Sequence, residues 1–255
     1  MTDAGTPLVE VSREGRVLVV EMRRSAKRNA VDRALADELD AALTQLDEDD
    51  DLWAGVLAAD GPVFSAGSDL GAGGDYYTER GGEYGIIRRP RTKPLIAAVD
   101  GPALGGGFEI VLACDLVVAS DAAVFGLPEV ARGLVPTCAG LFRAPRSLPL
   151  NLARELVLTG DPISASRAYA AGFVNVLAPV GEAKSAAVRL AKRICTNAPV
   201  AVRASLAVVN EMASADDAAG WEITGTAMRA IAGSADAAEG VRAFFEKRSP
   251  EWTGR

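Results

Sequence analysis

The sequence predicts an α/β domain followed by a helical C-terminal region, and three observations lead there. Short apolar runs bounded by Gly, Pro and Asp recur through the first 120 residues, loops of small residues follow them, and from about residue 151 the pattern turns helical and Ala-rich. With 255 residues, 49% hydrophobic and 24% charged, the chain is long enough for one large core and has the composition of an ordinary globular protein.

The elements follow in order. LVEVSREGRVLVVEM, residues 8–22, carries two strand-like runs around Glu14 and Gly15 and reads as a hairpin. Val31, Leu35, Leu39, Ala42, Leu43 and Leu46 then recur at helical spacing behind Asp32, an N-cap residue type. The acids at 47–51 oppose the macrodipole of that helix and read as a solvated turn. AGVLAA (54–59), PLIAAV (94–99) and DLVVAS (115–120) are short and mostly apolar, as expected of strands buried on both faces. LARELVLTG, SASRAYAAG and AKSAAVRLAKRI follow as helices with Gly stops. The stretch from Pro199 to Lys247, punctuated by Gly220, Gly225, Gly233 and Gly240, reads as helices that bury their apolar faces against the core or another subunit. Two regions result: a core over 1–194 and a helical region over 195–255.

Composition removes several classes of function. A net charge of −7 and a pI near 4.9 argue against nucleic acid as the main partner. The first twenty residues carry Asp3, Glu10 and Glu14 around one short apolar stretch, and no run reaches the roughly 20 apolar residues of a membrane helix. A cytoplasmic protein without membrane contact is the expectation. Cys114, Cys138 and Cys195 have no C-x-x-C spacing, so buried inert thiols are expected and no metal site. The sequence has no His, which excludes Ser-His-Asp and Cys-His nucleophiles and H-E-x-x-H zinc sites. Acid–base chemistry then falls to carboxylates, Lys, Tyr or Cys.

Two segments carry that chemistry. FSAGSDL (64–70) is a strand end running into small residues and a helix start at Asp69. In AAVDGPALGGGFEIVLACDLVVAS (97–120), Gly105, Gly106 and Gly107 precede an apolar helical stretch whose single acid is Glu109. Glycines at a helix N-terminus let backbone N–H groups approach an anion, and two facing turns of this kind make an oxyanion hole. Taken alone, the three glycines are more safely read as a tight, close-packed strand-to-helix turn. Glu109 is costly to bury unless it is paired, protonated or functional. Glu129, just after Pro128, is by itself ordinary for a first helical turn.

These residues resemble the crotonase, or enoyl-CoA hydratase/isomerase, superfamily. The resemblance runs through KRNAVD (27–32), FSAGSDL (64–70), residues 92–120, FGLPEVARGLVP (125–136), ELVLTG (155–160) and AGFVNVLAP (171–179). It implies a spiral of repeated ββα units with a C-terminal helical trimerisation region, assembled as a homotrimer or a dimer of trimers. It implies an oxyanion hole from the N–H groups of Ser68 and Gly106, and coenzyme A held along the backbone of Ala66, Ser68, Asp69 and Leu70. The hydratase glutamates match Glu109 and Glu129. Reversible hydration of a trans-2-enoyl-CoA is therefore the expected activity, with coenzyme A as part of the substrate and no further cofactor. Isomerisation, dehydration of another hydroxyacyl-CoA, an aromatic hydratase/aldolase reaction and a non-catalytic acyl-CoA binder are the alternatives. On the hydratase reading Glu129 activates water and returns a proton to C2, while Glu109 holds the water from the other side.

Three positions depart from the family pattern. Ser68 stands where relatives often have Ala or Met, which puts a hydroxyl beside the hole. Gly71 replaces a Lys that some hydratases place near the nucleotide phosphates, leaving Arg23, Arg24, Lys27, Arg28, Lys247 and Arg248 as candidates. Ala139 precedes Gly140 where relatives often have Gly-Gly. Residues 71–91, Gly-rich with Tyr76, Tyr77 and Tyr84, are expected to form a mobile loop lining the acyl end.

Overall fold

The computed structural model describes residues 7–253. Along the chain run β1 (Val9–Glu14), β2 (Val17–Met22), α1 (Arg33–Glu48), β3 (Ala54–Ala59), β4 (Tyr77–Thr78), β5 (Gly82–Glu83), β6 (Leu95–Val99) and β7 (Ala103–Leu104). Next come α2 (Gly106–Leu112), β8 (Leu116–Ser120), β9 (Val124–Gly126), α3 (Gly140–Ser147), α4 (Leu150–Thr159), β10 (Ile163–Ser164), α5 (Ala165–Ala170) and β11 (Val176–Ala178). The remaining helices are α6 (Ala183–Ile194), α7 (Pro199–Ser214), α8 (Asp217–Ala232) and α9 (Ala235–Glu246).

The main sheet has the order β1-β2-β3-β6-β8-β11. Its first pair is the antiparallel hairpin, with Glu14 opposite Val17, and every later pairing is parallel. Both faces are covered, which is why the parallel strands read as continuous apolar runs. Val17 and Val19 of β2, Val56 of β3 and Ile96 of β6 point to α6, whose buried Ala183, Ala186, Ala187 and Ala191 let it lie close to the sheet. Leu18, Val20 and Met22 point the other way, into the larger core with α1 and α2. A small sheet, β10-β9-β7, carries the loops that surround the site.

Helix α1 starts as its sequence predicts, the Asp32 side chain accepting from Leu35 N at 3.0 Å. Its C-terminus departs from expectation at one acid. The run at 47–51 is not uniformly solvated: Asp47 is folded under and pairs at 3.1 Å with Arg89, a guanidinium that also meets Asp40 at 3.0 Å and is itself buried. Burial raises the carboxyl pKa of Asp47 and lowers that of Arg89. Buried Lys93 donates to the carbonyls of Leu46 and Asp49, placing a cation on the negative end of α1. The expected mobile loop also divides. Residues 71–75 are exposed, whereas Tyr84, Ile86, Ile87 and Arg89 are built into the core.

The C-terminal helices bury part of their surface against the core and leave part of it exposed. Gly220 of α8 packs on the ring of Phe142, which Trp221 meets edge-on at 5.3 Å. Gly240 of α9 sits against the carbonyl of Arg132. Val200, Val208, Val209 and Met212 of α7 and Ile223 of α8 remain exposed. No helix among the described residues is long and apolar enough to cross a membrane.

Candidate active site

The strand-to-helix turns at Gly67 and Gly106 lie against each other. Gly67 has φ +87, and a side chain there would stand 2.8 Å from the Gly106 nitrogen. Gly107 is equally constrained, because a Cβ would meet the Ser65 carbonyl at 2.2 Å. Ser65 ties this rim down by donating its hydroxyl to Asn29 O and accepting from Gly67 N. Among the described residues the N–H groups of Ser68 and Gly106 find no acceptor in the protein, so two donors are free at neighbouring turns. The helix start expected at Asp69 is only a short 3-10 turn, Leu70–Ala72, with Asp69 accepting from Gly71 N.

Glu109 sits in the first turn of α2, 2% exposed. Its Oε1 accepts from the backbone N–H groups of Cys138 and Gly140, each at 2.8 Å. Those bonds favour the carboxylate, yet burial and the charge of Glu129 outweigh them and push its pKa up to about 8. Gly140 has to lack a side chain, since a Cβ would come within 2.9 Å of Oε1. Ala139 before it takes φ +78, a left-handed conformation that disfavours any residue with a Cβ by about 1–2 kcal/mol.

Glu129 lies in a 3-10 turn, Pro128–Arg132, that follows β9. Its Oε1 stands 3.1 Å from where a Gly105 Cβ would be, so the carboxyl overlies the turn that presents the Gly106 N–H. Its Oε2 is buried without a hydrogen-bond partner. Burial pushes its pKa to about 7, against the opposing pull of its own backbone N–H and Arg132. The fold thus brings Ser68, Gly106, Glu109 and Glu129 to one place from three separate stretches of chain. A pair of acids whose pKa values are both raised to neutrality or just above it is a form of acid–base apparatus that needs no His.

The structure adds two residues that sequence reasoning did not single out. Tyr84, 2% exposed and with φ +57, places its hydroxyl 2.8 Å from Ser68 Oγ and directly over Gly106, where a Cβ would be 2.3 Å from it. It therefore occupies the Ser68 hydroxyl, and burial keeps the phenol protonated by raising its pKa well above the ordinary value. Cys138 is the second. Its thiol is buried and its pKa raised, and its N–H holds Glu109. Neither had a legible signal, because each acts through contacts remote in sequence. Cys114 and Cys195 are only partly buried, short of the full burial expected.

Of the basic residues proposed for the coenzyme A phosphates, several are already engaged. Arg24 bridges Asp32 at 2.7 Å and Asp69 at 2.9 Å, which fixes the Asp69 segment to the chain before α1. Arg23 pairs with Glu10 and Glu21, and Arg248 with Glu239 and Glu246. Among the described residues Lys27, Arg28 and Lys247 form no ion pair. No cluster of metal-ligating side chains occurs among the described residues.

An α/β spiral of this topology, with two free N–H groups beside two buried carboxyls, defines a class of enzyme, and comparison with known proteins gives the family. A family model described as enoyl-CoA hydratase/isomerase matches residues 12–255. The enoyl-CoA hydratase EchA19 of Mycobacterium tuberculosis is 37% identical, over 96% of each chain. Among solved structures, a carnitinyl-CoA dehydratase from Mycobacterium avium is 41% identical with a TM-score of 0.92, covering 98% of this chain and all of that one. The enoyl-CoA hydratase EchA1 from Mycobacterium marinum is 43% identical with a TM-score of 0.80 at the same coverage. The chain belongs to the enoyl-CoA hydratase/isomerase family.

Proposed function

We propose that the protein is an enoyl-CoA hydratase, adding water reversibly to a trans-2-enoyl-CoA to give a 3-hydroxyacyl-CoA. The observation that carries this reading is Glu129 Oε2: a buried, unpartnered oxygen of an acid with pKa near 7, next to a free backbone donor at Gly106. An unsatisfied buried carboxyl oxygen is expensive unless a ligand or water completes it. Relatives named as hydratases and as a dehydratase agree with it, since hydration and dehydration are one type of reaction read in opposite directions.

In this mechanism the thioester oxygen sits between the N–H groups of Ser68 and Gly106. Negative charge developing on that oxygen is stabilised by fixed dipoles, which makes C3 electrophilic. Glu129, the more acidic of the pair, deprotonates the water that attacks C3 and returns a proton to C2. Glu109 stays protonated at neutral pH and holds the water, its Oε1 already fixed by Cys138 and Gly140. Every protein group given a role in this mechanism belongs to the chain itself. The backbone of Ala66, Ser68, Asp69 and Leu70 lines the coenzyme A end, with Lys27 and Arg28 as the cations free to meet its phosphates. We further propose a trimer, or two stacked trimers, formed through the exposed apolar residues of α7 and α8.

The test is the hydration rate of a short trans-2-enoyl-CoA for Glu129→Gln and Glu109→Gln. Each is expected to fall by about 10² to 10⁴, the range for loss of general acid–base catalysis, while affinity for a saturated acyl-CoA holds. Near-normal hydration by both variants removes these residues from the mechanism. A severe effect of one and a mild effect of the other, with double-bond migration retained, makes the protein an isomerase.

A further inference from the structure

A cavity of about 340 Å³ adjoins the site, lined in part by Tyr76, Glu83, Arg88, Thr137, Cys138 and Trp221. It is joined to the reacting end twice. Cys138 is the residue whose N–H holds Glu109, and Tyr76 stacks at 4.7 Å on Tyr84, whose hydroxyl meets Ser68 Oγ. If the thioester lies at Ser68 and Gly106, the far end of the acyl group enters this cavity.

Its wall is mostly apolar, with Tyr77 and Met228 also facing it, but it carries one fixed cation. Arg88 is fixed on one edge by Glu83, Nε to Oε2 and Nη2 to Oε1 both at 2.9 Å, and on one face by Trp221, 3.5 Å from the ring centroid. Gly82 makes room for it, since a Cβ there would meet the Arg88 stem at 2.7 Å. The remaining nitrogen, Nη1, has no acceptor among the described residues. A guanidinium held on two sides with its Nη1 unspent is a preorganised donor, and its strongest partner is a carboxylate. Glu83 does not forbid a second acid, because guanidinium groups in this chain already serve two: Arg24 bridges Asp32 and Asp69, and Arg89 bridges Asp40 and Asp47. A cationic tail is disfavoured, as the Trp221 face that would take it already holds Arg88.

We infer that the acyl group this enzyme prefers ends in a carboxylate, read by Arg88 at the far wall of the cavity. The inference rests on the hydratase reading and deepens it. The experiment compares kcat/KM for 2-enoyl thioesters of equal length ending in carboxylate, methyl or trimethylammonium. The carboxylate is expected to exceed the methyl compound by on the order of tenfold, the scale of one charge-assisted hydrogen bond at a partly exposed site, with the ammonium compound lowest. Arg88→Gln should bring the carboxylate-to-methyl ratio near one, and Arg88→Lys should keep part of it. Equal rates, or a preference for methyl or ammonium in the unsubstituted enzyme, overturn the inference with no variant needed. If none of the thioesters is hydrated, it is the hydratase reading that has failed. Dissociation constants of the three saturated thioesters, measured by calorimetry, then decide the tail preference by the same ratio.

Discussion

Glu109 shows how one residue can be stabilised for function and destabilising for the fold. In the unfolded chain its carboxyl ionises near 4.5, and in the fold only near 8. Between those values the folded state holds the extra proton, so folding stability falls as pH rises from about 4.5 to about 8 and is fully retained below that window. Glu109→Gln keeps an acceptor for Cys138 and Gly140 but no longer has a charge to bury. It should raise the folding free energy at pH 8 by about 1–3 kcal/mol and leave it nearly unchanged at pH 4, as urea unfolding at the two pH values would show. A gain at pH 4 equal to that at pH 8 would mean that burial of charge is not the cause. The same pair predicts a bell-shaped pH dependence of kcat/KM with flanks near 7 and 8, and Glu109→Gln should lose the alkaline flank. Glu109 was legible in the sequence because an acid inside Phe108, Ile110 and Val111 has no cheap place to go, whereas Glu129, ordinary for a first helical turn, stood out only through the family resemblance. Tyr84 was not, since a Tyr in a Gly-rich segment looks like any exposed aromatic until the fold sets it over Gly106.

At the scale of elements, the strands and α1 were readable because their signals are local: apolar runs between breakers, and a helical period behind Asp32. The loop at 71–91 was not, since its structure depends on partners elsewhere. Arg89 is anchored by Asp40 and Asp47 of α1, and Gly85, at φ +74, lies against the Ala36 carbonyl, which a Cβ would approach to 2.4 Å. The consequence is a rigid wedge from α1 to the hole. Gly106→Ala tests it, because the new methyl would stand 2.3 Å from the Tyr84 hydroxyl and force one of the two apart. Its hydration rate should fall by about 10² or more although its N–H donor is retained, on the scale of one misplaced donor. Because ring atoms Cζ and Cε2 of Tyr84 would also stand 2.6 and 2.8 Å from that methyl, rescue needs the ring removed: Gly106→Ala in a Tyr84→Ala background should recover part of that loss, and failure to recover any of it would place the clash elsewhere.

For the molecule as a whole, the exposed apolar side chains of α7 mark the surface on which assembly is proposed. Val208 and Met212 are 63% and 74% exposed, so polar replacements leave the subunit's own packing untouched. Val208→Glu with Met212→Lys should shift the sedimentation coefficient from trimer or hexamer to monomer at micromolar protein. An unchanged coefficient would move the interface to another face. The sequence suggests two regions, 1–194 and 195–255; in the fold α6 ends at Ile194 and α7 begins at Pro199. How the second packs on the first could not be read beforehand, because small residues such as Gly220 and Gly240 signal close contact without naming the partner.

That last contact bears on when the enzyme becomes one. Gly240 of α9 rests on the carbonyl of Arg132, where a Cβ would come to 2.1 Å, and Arg132 ends the short turn that carries Glu129. As the chain leaves the ribosome N-terminus first, the main sheet, the hole and Glu109 can all form while α9 is still being made. The seat of Glu129 is completed only when that helix arrives. Unfinished chains thus lack the contact that backs the Glu129 turn, so the seat of the proposed base is the last part of the site to be closed.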